Sequence, residues 1–186
     1  MIKTKKDKAD RIVQGDIIRN IEYVESVVEV SGQLEISKVN FPLVVVLTQD
    51  CDLEQDYRFR WSEEAESKSE DKWLLSVLVA PLYNVEHIYA GIHLSELDMK
   101  MQKIPKGKTA GTFLQQNQNP RYHYLKFGSD VPIVDSVVDF KHYFSVNLNY
   151  LRQKKQDDFV CQLSELYRED VLQRYASFLS RIGLPE

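Results

Sequence analysis

What this chain has little of narrows its class. It carries 2 cysteines in 186 residues, too few for a disulfide framework, so a reducing cytoplasm is the expected compartment. No apolar run approaches the length needed to span a bilayer, and the opening MIKTKKDKADR lacks the apolar centre of a signal peptide, so no membrane association is expected. An excess of positive charge is missing as well. Lysines and arginines number 24 against 28 acids, a net charge of −4, which argues against a protein that coats nucleic acid regardless of sequence but leaves room for a local basic patch. The chain has no internal repeat and no Cys-x-x-Cys, His-x-x-x-His or EF-hand spacing, so no metal and no cofactor is expected.

What is present is material for a core. Hydrophobic residues make up 43% of the chain and aromatic residues 11%, which excludes wholesale disorder. The length suits one domain with an appended helix. The organising stretch is Phe41 to Asp56, FPLVVVLTQDCDLEQD. Leu43 to Leu47 form a continuous aliphatic run, which reads as a central strand buried on both faces. Its end delivers Thr48, Gln49, Asp50, Cys51 and Asp52 to the rim of the fold.

Around that strand the chain reads as walls. Residues 1–11 are polar and basic: a flexible solvated tail, or in the sharper reading a nucleic-acid-binding arm. Gly15 and Asp16 predict a turn before a short strand. Tyr23 to Val30 and Leu34 to Val39, joined at Ser31-Gly32-Gln33, predict a hairpin. The tract 62–72 is charged and serine-rich and predicts a mobile acidic loop, with Tyr57, Phe59 and Trp61 before it either capping the core or meeting a partner. Trp73 to Tyr83, WLLSVLVAPLY, predicts a second buried strand beside the central one, stopped by Pro81. Val85 to Met101 has helical spacing, and Lys103 to Pro120 reads as a long loop. Arg121 to Leu125, Ile133 to Tyr143 and Val146 to Leu151 supply further strands. Ser164 as N-cap, a stripe of Leu166, Val171, Leu172, Tyr175, Phe178, Leu179 and Ile182, and the stop signals Gly183 and Pro185 predict a C-terminal amphipathic helix. The division is a tail 1–11, a β domain 12–151, and a helical segment 152–186 packed on it.

The order of three motifs is similar to a known family. GDII at Gly15 to Ile18, FPLVVVLTQD at Phe41 to Asp50 and VLVAPLYN at Val77 to Asn84 together resemble the PemK/MazF family of SH3-like barrels, and VDSVVDF followed by LNYL resembles its closing strands and following helix. The resemblance implies an α+β, mainly β fold: a small SH3-like barrel with one inserted helix and a C-terminal helix. It also implies a gene from a toxin-antitoxin, plasmid, phage or defence locus. The family's ribonucleases carry an arginine before the strand's proline, where this chain has Phe41. They carry a threonine or serine after the Ala-Pro turn, where this chain has Leu82, Tyr83 and Asn84. RNA cleavage needs a cation for the phosphorane charge and a proton-transfer group, so the first expectation is a non-catalytic binding module with a protein partner.

Several chemistries stay open at the rim. Asp50, Asp52, Glu54 and Asp56 bring four acids near one place. Read structurally, Cys51 is a small buried hydrophobe and an aspartate caps a turn. Read functionally, Thr48, Gln49, Asp50, Cys51, Asp52, Arg121, Tyr122 and His123 form a binding rim. A divergent ribonuclease would use Arg121 as phosphate clamp with His123 or Asp50 as acid/base, and RYHY would stack single-stranded bases. A nucleophilic Cys51 with His123 as base, or a metal at the acids and His123, is the third reading. His87, His93 and His142 read as packed or solvated.

Overall fold

A computed structural model describes residues 1–61 and 70–181. Among the described residues the strands are β1 (Thr4–Lys5), β2 (Asp16–Val30), β3 (Gln33–Val46), β4 (Ser76–Asn84), β5 (Tyr122–Leu125), β6 (Ser136–Asp139), β7 (Phe144–Asn147) and β8 (Phe159–Leu163). The helices are α1 (Asp50–Trp61), α2 (Val85–Ala90), α3 (Thr109–Gln115), α4 (Leu148–Asp158) and α5 (Glu165–Leu179). The fold is α+β and mainly β, a curled antiparallel half-barrel in the order β1-β8-β2-β3-β4-β6-β5, with β7 also on β4. Among the described residues no helix is long and apolar enough to cross a membrane.

The continuous aliphatic run does what its composition demands. Val45 and Leu47 enter one core with Ile17, Ala80, Phe140 and Val171, while Val44 and Val46 enter a second with Ile18, Leu53, Val79 and Leu151. Successive strand residues point to opposite faces, so a strand with a core on each side has no polar positions. Each of these four side chains contributes about 1.5–3 kcal/mol by its burial.

The hairpin is longer than its two predicted segments. β2 and β3 pair from Ile17↔Val45 out to Val30↔Gln33. The turn residues Ser31 and Gly32 have φ of 54° and 78°, the pair of left-handed residues that a two-residue hairpin turn requires. β8 pairs β2 only over Asp16–Ile18, and β4 pairs β3 only over Val44–Val46. The outer part therefore projects as an arm, with Val24, Val27, Val28, Val30, Leu34 and Ile36 exposed.

Elsewhere the structure departs from the sequence reading. Within the basic N-terminal segment, Thr4 and Lys5 pair with Leu163 and Gln162. After Thr48 and Gln49 the polar segment is not a rim loop but helix α1. Of the predicted acidic loop, 62–69 lie outside the described residues and Glu70–Lys72 form a single 3-10 turn. Pro81 does not end β4: it pairs with Val44 where the β3 ladder stops, and Leu82 to Asn84 go on to pair with β6. The missing N–H thus falls at a seam between ladders. The helix expected over Val85 to Met101 is cut to Val85–Ala90 by Gly91, whose φ of 69° makes it a left-handed C-cap. A side chain there would also collide with the Met101 carbonyl oxygen. The expected loop 103–120 contains α3. The chain past Leu151 continues as α4 and returns through β8 to the sheet before α5 begins.

Candidate functional site

The residues expected to share one rim fall into separate groups. Asp50 opens α1, which has Asp50 and Asp52 in its first turn and Arg58 and Arg60 in its last, charges matched to the helix dipole. The Asp50 carboxylate accepts from Arg11 at 2.8 and 3.0 Å and from the Gln14 backbone N–H at 3.3 Å, and Arg168 lies 3.5 Å away. Burial opposes ionisation there, but the Arg11 hydrogen bonds and charge outweigh it and hold the Asp50 pKa below the usual carboxylate range. Asp50 is thus a clasp between the N-terminal segment, α1 and α5. Thr48 accepts a hydrogen bond from the Leu78 backbone at 2.7 Å. Gln49 and Asp52 are exposed, and Cys51 is exposed too, not the buried hydrophobe expected. Of the aromatics after them, Trp61 packs against the second core, with Arg152 4.3 Å from its ring, while Tyr57 and Phe59 are half-buried.

His123 lies on β5, which β4 and β6 separate from β3, the strand that leads to Asp50. It is 2% exposed, its Nδ1 has no partner, and its Nε2 lies 3.8 Å from an Asp170 oxygen. Burial, then the Arg174 charge, pushes its pKa down to about 3. The half-exposed Asp170 is screened by water and does not offset that burial. His123 is therefore a neutral core residue, not a rim acid/base.

Arg121 leads to a constellation the sequence reading missed. Asp139 ends β6, is fully buried, and caps the following 3-10 turn, Phe140–His142, by accepting from the Lys141 N–H at 3.0 Å. That turn places His142 three residues on, with Nδ1 3.1 Å from Asp139 Oδ2. β5 pairs with β6 through Tyr122↔Asp139, which brings the neighbouring Arg121 onto the same carboxylate. Its Nε reaches Oδ1 at 2.8 Å and its Nη2 reaches Oδ2 at 2.6 Å, a bidentate pair. β4 contributes Tyr83, whose hydroxyl lies 3.2 Å from His142 Nδ1. The Gly91 cap turns the chain after α2 so that the His93 ring packs 4.9 Å from Tyr83. His93, His142 and Asp139 each offer a donor atom within 4.8 Å of the others.

The protonation pattern follows from valence. A guanidinium only donates, so His142 Nε2 accepts from Arg121 Nη2 at 3.4 Å, and the hydrogen of the neutral ring sits on Nδ1, which faces the Tyr83 hydroxyl at 3.2 Å and Asp139 Oδ2 at 3.1 Å. Burial lowers the His142 pKa, with Asp139 offsetting part of the effect, and it lowers that of His93 to about 4. Both rings are neutral at pH 7. Burial first, and then Asp139, raises the Tyr83 pKa. Both ring nitrogens of His93 are buried without a hydrogen-bond partner.

Beside this cluster lies a cleft of about 470 Å³, with Lys103, Phe113, Arg121 and Tyr122 among its walls. Lys100, Lys103, Lys106 and Lys108 are exposed along the segment that borders it. Arg121 belongs to both cleft and cluster, and its guanidinium lies 4.9 Å from the Tyr122 ring.

No protein-family model and no curated protein matches this chain.

The only sequence signal for the site was Asp139-x-x-His142 together with Arg121. His93 is 46 positions upstream of Asp139, and nothing local marks it.

Proposed function

We propose that this chain binds single-stranded RNA in the cleft and cleaves it by acid–base chemistry at His142 with Arg121 as the phosphate clamp, on a PemK/MazF-type barrel. The observation that carries the reading is the sharing of Asp139 by His142 and Arg121 at the edge of a basic, aromatic-walled cleft. In the free chain the Nε2 lone pair accepts from Arg121 Nη2 at 3.4 Å, and it is released to take a proton when the guanidinium turns to the phosphate. In the proposed step that lone pair accepts the ribose 2′-hydroxyl proton as the 2′-oxygen attacks phosphorus. Arg121 offsets the charge gathering on the phosphoryl oxygens. The 5′-oxygen leaves, the proton returns to it from the imidazolium, and a 2′,3′-cyclic phosphate remains. The exposed Phe113 supplies a ring face for a base, and Lys100, Lys103 and Lys108 supply phosphate contacts. Arg121 thus takes the role of the cation whose place in the family motif is held by Phe41.

The test is cleavage of a fluorescent single-stranded RNA in EDTA. His142→Ala and Arg121→Ala are expected to lower the rate at least ~100-fold, with RNA cleaved and growth arrested on induction of the unaltered chain only. Intact RNA with the unaltered chain refutes the reading. That outcome favours the second one, a non-catalytic binding module, whose motivating observation is the projecting arm of β2 and β3 with its exposed valines.

A further inference from the structure

The group with the least structural explanation is His93. Nitrogens shielded from water are normally hydrogen-bonded, yet among the described residues neither nitrogen of the half-buried His93 ring has a partner of good geometry. The His87 backbone is the one group there that supports its charged form by hydrogen bonding, and one nitrogen lies within 4.8 Å of the donor atoms of Asp139 and His142. Two neutral imidazoles and one carboxylate are the ligand set of a three-coordinate site open at a fourth position. We infer that His93, His142 and Asp139 bind a divalent transition metal ion of the zinc type.

The distances fit that chemistry. Donors held at about 2.0–2.1 Å from a tetrahedral zinc lie roughly 3.3 Å from one another. His142 Nδ1 and Asp139 Oδ2 are 3.1 Å apart, so an ion can take the place of the hydrogen there while the ring proton passes to Nε2, a shift that requires Arg121 Nη2, 3.4 Å from Nε2, to swing away. Oδ1 keeps its bonds from Arg121 Nε and the Lys141 N–H, which orient the carboxylate from behind as outer partners do in metal sites. The third donor, His93, is at most 4.8 Å from the other two, a gap closed by rotation of its ring. The Tyr83 hydroxyl, 3.2 Å from His142 Nδ1, borders the open position. Arg121 opposes the ion, since its Nη2 holds Oδ2 at 2.6 Å. Its side chain is 25% exposed and has a route outward to the cleft. Replacing Arg121 therefore has opposite effects on the two chemistries: it weakens RNA cleavage and strengthens metal binding.

The experiment is titration of untagged, EDTA-stripped full chain with zinc chloride, read by bound metal after gel filtration, and with cobalt chloride, read by visible absorption. One ion per chain is expected, with the absorption of a four-coordinate nitrogen and oxygen site. His93→Ala and His142→Ala should each weaken binding at least tenfold, Arg121→Gln should tighten it several-fold, and the exposed His87→Ala should leave it unchanged. Circular dichroism of each variant separates loss of the site from loss of fold. Absence of stoichiometric binding overturns the inference, as does binding that survives loss of both His93 and His142 in folded protein, or binding that depends on His87. The RNA assay runs in EDTA and the titration without RNA, so failure of either leaves the other readable.

Discussion

Burying His123 as a neutral ring makes the fold acid-sensitive in a calculable way. Its pKa is about 3 in the folded chain, while the unfolded value is near 6.5. The unfolded chain takes up a proton that the folded chain refuses, so His123 contributes stability that is present above pH 6.5 and is lost as pH falls through the window. Each unit of pH inside it costs up to about 1.4 kcal/mol, hence about 5 kcal/mol over the whole window and roughly 2.5 kcal/mol between pH 6.5 and 4.5. The variant His123→Leu removes this dependence without leaving a donor unsatisfied, because Nδ1 has no partner to lose. Its cost at pH 7 is that of reshaping contacts near Phe140, which lies 6.3 Å away ring to ring, about 1.5 kcal/mol or less. Urea midpoints measured at pH 7.0 and 4.5 should fall by about 1 M more in the unaltered chain than in the variant, for a slope near 2 kcal/mol per molar. His93 titrates in the same window but is common to both proteins, so the difference isolates His123. Parallel pH dependences would refute the reasoning and make His123 and Asp170 an ion pair strong enough to keep the ring charged.

The buried pair of Lys155 and Asp16, 2.7 Å apart and each 1% exposed, carries a second prediction: Lys155→Met should cost about 3–5 kcal/mol by stranding the carboxylate, and adding Asp16→Asn should recover part of it in thermal melts. A loss below about 1 kcal/mol would mean that the carboxyl is protonated and does not need the ammonium. In the native chain iodoacetamide at pH 8 should alkylate the exposed Cys51 and spare Cys161, whose thiol burial and then Asp16 push up to about 12; peptide masses showing both cysteines labelled would contradict the burial of Cys161.

What was legible in the sequence was whatever a local rule governs. The aliphatic run Leu43 to Leu47 demanded two-sided burial, Ser31-Gly32 demanded a hairpin turn, and the apolar stripe after Ser164 demanded a helix. The α1 helix was hidden because only Leu53 and Asp56 of its twelve residues are buried; the acid-first, arginine-last order of its charges was the signal that would have found it. Helix α3 and strand β8 are short, and their local preference is outweighed by neighbours distant in the chain.

The amino-acid sequence by itself determined the class of this protein, its central strand and the core on each side of it, because strand and helix periodicities are properties of consecutive residues. Only the tertiary structure decided which polar groups act together. It put two strands between β3, which leads to Asp50, and β5, which carries His123 next to Arg121, and it joined Arg121 to Asp139 through the register of β5 on β6. It added His93 through a turn set by Gly91. Such a cluster depends on pairings between segments far apart in the chain, and those are fixed by the burial of whole strands rather than by any spacing within one of them.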